Sequence, residues 1–488
     1  MLDKYIDDNK DNIINSICDL IRFPSVSIED LENTDAPFGK ACSEALEFAL
    51  ELGKSMGFRT KNIDNYCGYI EFGEGEELVG IIGQLDVVPA VVSDGWSTPP
   101  FEPSIRDGKL FGRGSIDDKG PVIAALYAMK AVYENMKVNK RVRLILGLNE
   151  EKNWKCIEHY KKTEEFPSIS LSPDANFPGI YAEKGIISVE LKHPFFIKNA
   201  EILNIDCNQN AINVVPKFCA ITLKIKNDEL LYKILNLDGT DSSLDIEVQN
   251  LGNNIIKIYS HGIAAHAAHP ELGKNAITNL VKFLLNNFET TNFSDISDAK
   301  KLSEYIYLRK LYELGLFTYT SPVLFSINDF SLDNSEKSIS IIQDESGILT
   351  SNIAILDYVD NKLIIRINLR VPVNTSLEFI ENKYNDLKTI FDCIEINILN
   401  KQNSLYIRKD SYLVKTLVDI FNQKTGGFSE PIAIGGGTYA RAFKNSISYG
   451  ITFPGDLDMC HQVNEFIEIE KLILGAKIYA EAIYQLAK

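Results

Sequence analysis

The chain has no uninterrupted run of eighteen apolar residues, so no transmembrane helix is expected. Its first residues, MLDKYIDDNKDNIINSICDLIRF, scatter acids through what would have to be an apolar core, so they do not read as a secretory signal. Basic residues are in deficit: 50 Lys and Arg stand against 67 Asp and Glu, a formal charge of −17. Nucleic acid and anionic membrane would repel such a surface, and neither is expected as a partner. More plainly, an acidic surface keeps a protein in solution. The cysteines, at 18, 42, 67, 156, 207, 219, 393 and 460, include no CxxC pair. That excludes a zinc knuckle and gives no disulfide framework, so free thiols in a reducing cytoplasm are expected. Internal repeats and low-complexity segments are missing too.

What is there is ordinary in bulk, with 45% hydrophobic and 24% charged residues. A chain of 488 residues is too long for one compact core, so two or more domains are expected. The first third alternates strand and helix signals. ELVGIIGQLDVV is an apolar strand pattern, PVIAALYAMKAVYENMK carries helical spacing, and RVRLILGLNEE is again a buried strand. Strand–helix–strand order predicts a mostly parallel central sheet flanked by helices, with ligands beyond the carboxyl ends of the strands. From about residue 186 the pattern changes to two-fold alternation, in ISVELKH, AITLKIKN, NIIKIYSHG, KLIIRINLRVPV and IEINILN, with a helix at NAITNLVKFLLNNF. An inserted α+β domain over 186–406 is therefore expected between two parts of one α/β domain, 1–185 and 407–488. The stretch 289–350 carries the weakest pattern.

Acids fall where the strand-end rule puts them. Asp86 follows one strand, Glu150 and Glu151 another, and Asp174 follows SISLSPD. Asp117 and Asp118 lie in a glycine-flanked turn, GRGSIDDKGP, just before a helix. Adjacent acids at a helix start can simply complement the macrodipole. Here the tight GRG bend would aim a carboxylate at a site, and one carboxylate can bridge two cations. A Glu-Glu pair after a strand suits a division of roles, one acid holding metal and the other acting as general base. His461 in MCHQVNE adds a nitrogen ligand. None of these motifs is specific alone; their combination is.

Together GQLDVVP, GWSTPPFEP, GRGSIDDKGP, NEEKNW, SPDANFPGIYAEKG, AAHAAHPELGKNA, NLRVPV, GGGTYAR and HQVNE resemble the dinuclear-zinc aminopeptidase/carboxypeptidase family that includes aminoacylase and carboxypeptidase G. Within it the chain is most similar to the bacterial dipeptidases of the dipeptidase V and Xaa-His dipeptidase branch. The resemblance implies a zinc-exopeptidase-like catalytic domain with an inserted lid, and two divalent cations, zinc or alternatively manganese. It implies Asp117 as bridging carboxylate, Glu151 and His461 on one metal, and Asp174 with residue 84 on the other. Glu150 would be the general base and Asp86 the acid orienting the ligand two residues before it. In the lid, His266 would stabilise the oxyanion. Asn213, Arg370 and the backbone of Gly436, Gly437 and Thr438 would bind the substrate's terminal carboxylate. The implied substrate is a dipeptide or short peptide, and the implied state a monomer, the long lid supplying His266 within one chain.

One ligand departs from the pattern: Gln84 stands where the family has histidine. Both side chains are neutral, so the site keeps its charge, but an amide oxygen is a harder and poorer donor than imidazole and favours manganese over zinc. Three outcomes compete: an active enzyme with altered metal preference, a single-metal enzyme of low rate, and a non-catalytic peptide-binding homologue. An amidohydrolase acting on N-acyl amino acids is a further alternative. Every other chemical residue is present, Glu150 included, which favours a metal-dependent dipeptidase with one weakened metal position.

Overall fold

The computed structural model describes residues 1–208, 211–237, 245–288, 307–320 and 341–488. The chain divides into two compact units. The first comprises Met1–Ala182, Leu405–Ile432 and Gly437–Lys488, and the second Glu183–Ser404 with Ala433–Gly436. The short return at 433–436 has no counterpart in the sequence pattern, which assigns those residues to the C-terminal α/β part. Most of 289–350 lies outside the described residues.

The first unit is built on a mixed sheet. Strands Arg141–Gly147, Leu78–Gln84, Ile169–Ser172 and Ser446–Ser448 run parallel at its centre. Cys67–Phe72 and Arg59–Ile63 extend it antiparallel on one side. All seven residues of Leu78–Gln84 are buried, as expected of a strand covered on both faces. Helix Lys119–Asn135 packs along the C-terminal helix Ile469–Ala487, and Leu2–Asp8 packs on both. Lys119–Asn135 is buried over most of its circumference, which explains why its sequence is apolar almost throughout.

In the second unit two four-stranded antiparallel sheets form. One runs in the order Thr350–Val359, Lys362–Val371, Gly185–Pro194, Glu395–Gln402, the other Ala200–Asp206, Phe218–Ile225, Ile255–His261, Ile246–Gly252. Alternating residues such as Ile187, Val189 and Leu191 share one core with Ile277, Leu280 and Leu284 of helix Ala276–Phe288. Local capping agrees with the pattern: Ser376 Oγ accepts from Phe379 N at 3.1 Å to start helix Leu377–Asn385. One expectation is corrected here. Cys207 and Cys219, opposite each other at the end of two paired strands, form a disulfide, whereas the other six cysteines are free thiols. Their separation of 12 residues carries no disulfide signature, and only strand register brings them together.

Candidate metal centre

Three carboxyl-end loops of the parallel sheet carry the acids. Asp86 is fully buried just beyond strand Leu78–Gln84. Its Oδ1 accepts from Glu150 N at 3.1 Å and its Oδ2 from Glu151 N at 3.2 Å. The acid expected to orient residue 84 thus grips the backbone of the loop that presents Glu150 and Glu151. Burial pushes the Asp86 carboxyl up to about 6, although those two N–H groups pull the other way.

The turn carrying Asp117 is clamped by a residue that the sequence pattern did not single out. Glu465 is fully buried and accepts from Gly114 N at 3.0 Å, Ile116 N at 2.9 Å and Asp117 N at 3.2 Å. It also pairs with Arg113 Nη1 at 2.7 Å, and Arg113 Nη2 reaches His461 O at 3.4 Å. The available signal was that the HQVNE motif ends in this acid. Gly114 takes a left-handed φ of +89° within the turn. Gly120 lets the following helix start against it: a Cβ there would lie 2.1 Å from Ser115 O. Gly120→Ala is therefore expected to cost about 1–3 kcal/mol and to weaken cation binding as the turn is displaced. Urea unfolding and a metal-chelator competition measure both; unchanged values would show that the helix start has room to shift.

Asp117, Glu151 and His461 converge, with one ligand atom from each lying within 4.8 Å of the others. His461 Nε2 stands 3.0 Å from Asp117 Oδ2 and 3.1 Å from Glu151 Oε2. His461 holds a left-handed φ of +65°, a conformation that concentrates at functional sites. Burial and then Asp117 push Glu151 up to about 7, against the pull of His461. Burial works against a proton on His461, but Asp117 and Glu151 outweigh it and raise the imidazole to about 11. Burial also raises Glu150 well above the carboxylate range, reinforced by the charges of Glu151, Asp174, Asp117 and Asp86. Asp118, raised by burial and by Asp174 and Asp117, directs Oδ2 to Gln84 N at 3.2 Å. Two carboxylates and an imidazole meeting in a cluster of repelling acids form a donor set that fits a divalent cation.

Gln84 is fully buried, and its amide Nε2 donates to Asp117 Oδ1 at 3.2 Å. His159 is engaged elsewhere, with Nε2 2.8 Å from Asp64 Oδ2 and its ring stacked on Tyr66. Within the second unit His266, Asn213, Arg370 and Gly436 lie on connected segments. Ala267 N donates to Asn213 O at 2.8 Å, and His266 Nδ1 accepts from Ala268 N at 3.2 Å. Arg370 donates to Asn368 Oδ1 and to Gly435 O, both at 2.9 Å. A Cβ at Gly435 would lie 2.7 Å from that of Ala268, so the turn and the His266 segment touch. Gly437 and Thr438 continue into the first unit, where Thr438 Oγ1 meets Ser448 Oγ at 2.5 Å.

Residues 80–485 match the model of peptidase family M20/M25/M40. The chain belongs to that family. It is a metallopeptidase of the M20 family with the mixed α/β fold expected from its sequence. The Bacillus subtilis (strain 168) protein named "Putative dipeptidase YtjP" is 36% identical to this M20 chain, over 98% of each. A Staphylococcus epidermidis protein named "Putative dipeptidase" is 32% identical, over 98% of this chain and 97% of its own. Among solved structures, human carnosine dipeptidase 1 superposes with a TM-score of 0.59 at 15% identity, covering 100% of this chain and 98% of that one. Saccharomyces cerevisiae Dug1p, titled a di-peptidase, gives 0.54 at 14%, with the same coverages. At these identities the structural likeness establishes the shared fold.

Proposed function

We propose that this M20 peptidase hydrolyses dipeptides and other short peptides at a centre formed by Asp117, Glu151 and His461, with Glu150 as general base. The convergence of those three ligands beside Glu150 is the observation that carries the reading. Asp117, Glu151 and His461 would hold a divalent cation, which would supply Lewis acidity and make water at the site acidic enough, with a pKa of about 7, to be deprotonated. Glu150 takes the proton of the attacking water and later delivers it to the leaving amine. Its raised affinity for a proton, caused by burial and four neighbouring acids, suits that shuttle. Asp86 keeps Glu150 aimed by holding its backbone N–H. To Arg370, Asn213 and the Gly436–Thr438 backbone we assign the substrate's terminal carboxylate, and to His266 the charge developing on the scissile oxygen. Zinc suits a site with an imidazole ligand, and manganese suits its carboxylates.

A monomer in a reducing cytoplasm belongs to the same proposal; the six free thiols favour such a compartment, and the Cys207–Cys219 disulfide stands against it. Among the described residues no helix is long and apolar enough to cross a membrane.

The test is hydrolysis of a dipeptide panel and an N-acyl amino acid panel by metal-stripped and by zinc- or manganese-reloaded protein. Dipeptide turnover that needs the cation is expected, and Glu150→Gln should lower kcat about a hundred- to ten-thousand-fold while cation binding persists. Turnover of acylated substrates alone would assign an amidohydrolase. Peptide-induced thermal stabilisation without product would mark a binding protein.

A further inference from the structure

We infer that Gln84 makes this a one-cation centre, its side-chain amide donating to Asp117 and Glu150 in place of a second ion. The inference rests on the metallopeptidase reading above and concerns the composition of that same site. Asp117 uses its two oxygens differently: Oδ2 faces His461 at 3.0 Å, in the cluster with Glu151, while Oδ1 receives the Gln84 amide at 3.2 Å. The same Nε2 reaches Glu150 Oε2 at 3.5 Å. A carboxylate able to bridge two cations therefore has one oxygen directed to the ligand cluster and the other occupied by an N–H donor.

At the opposite end of the amide, Gln84 Oε1 is buried and has no hydrogen-bond partner among the described residues. Rotating the amide by half a turn would bring that oxygen against the carboxylates of Asp117 and Glu150, where lone pairs repel. Only a cation between them would make the rotated form favourable, and its gain would have to exceed the loss of both donations. In return it would gain a neutral amide oxygen, a weaker donor than an imidazole nitrogen. The neighbouring residues hold Gln84 in place. Its backbone N–H is fixed on Asp118, and Cβ atoms at Gly83 would lie 2.5 Å from Val122 and 2.7 Å from the Asp118 carboxylate, so the strand end is closely packed. A second ion thus meets a preformed competitor rather than an open ligand.

The experiment is a manganese titration of the metal-stripped full chain, read by elemental analysis and by electron paramagnetic resonance. The wild type is expected to retain one equivalent at about tenfold the dissociation constant of the first ion, with the six-line signal of isolated Mn²⁺. Gln84→His and Gln84→Glu, each replacing the amide with a stronger ligand, should retain close to two equivalents and show the exchange-coupled signal of a metal pair. Two equivalents with coupling in the wild type would overturn the inference and leave the metallopeptidase reading intact. One equivalent in the wild type and in both folded variants would overturn the role given to Gln84. Dipeptide hydrolysis on the same samples separates the two readings: one bound ion without turnover of any peptide leaves the one-cation centre standing and removes the peptidase proposal.

Discussion

Replacing Glu465 by alanine is expected to lower the free energy of unfolding by about 3–5 kcal/mol and to weaken cation binding at least tenfold. The carboxylate is fully buried and serves Arg113 and three backbone N–H groups of the turn that carries Asp117. Its removal leaves a buried guanidinium without its carboxylate, and breaking a buried pair costs more than the pair contributes. The effect should reach a bound cation because the same clamp holds one proposed ligand, Asp117, directly and, through Arg113, contacts the backbone of another, His461. Glu465→Gln keeps the volume and part of the hydrogen bonding, so it should cost less stability than alanine yet still loosen the cation. Urea unfolding of the metal-free protein separates the structural loss from the binding loss. A metal affinity unchanged in both variants would mean that Asp117 holds its place without the clamp.

The second large effect is on the pH dependence of stability, and it depends on the cation. In the metal-free protein Asp86 is raised to about 6 and Glu151 to about 7. Between pH ~4 and 7 the folded state therefore keeps protons that the unfolded chain has released, and stability falls as pH rises through that window. For Asp86 the upward shift corresponds to about 3 kcal/mol of penalty once it ionises. His461, raised to about 11, acts in the same direction at higher pH. Its contribution is complete below the unfolded value near 6.5 and is lost as pH rises towards 11. A bound cation replaces the protons and removes the repulsion. Metal-stripped protein is expected to lose several degrees of Tm between pH 5 and 8, while zinc- or manganese-loaded protein changes little. Cation binding at pH 7 should release protons, seen by calorimetry in buffers of different ionisation enthalpy. Parallel pH profiles with and without cation would show that these acids are not held together at the cost supposed here.

Much of this protein is legible before folding. The apolar run at 78–84, the helical spacing after 118 and the two-fold alternation beyond 186 rest on local periodicity, and the strands and helices form there. Asp117, Glu151 and His461 could be singled out because acids at strand ends and a lone histidine are chemically conspicuous, and the folded chain brings the three together. Other features depend on contacts between distant segments. Glu465 grips Gly114 across a separation of 351 residues, and its place at the end of HQVNE does not by itself reveal that partner. The Cys207–Cys219 bond follows from strand register, and the return of 433–436 to the second unit from packing against Ala268. Gln84 shows the division within one residue. Its identity, an amide where the family resemblance implies an imidazole, is written in the sequence. Which end of its amide meets the acids is decided by the carboxylates that tertiary structure packs around it, because in a buried site a donor facing Asp117 is satisfied and an acceptor there is repelled.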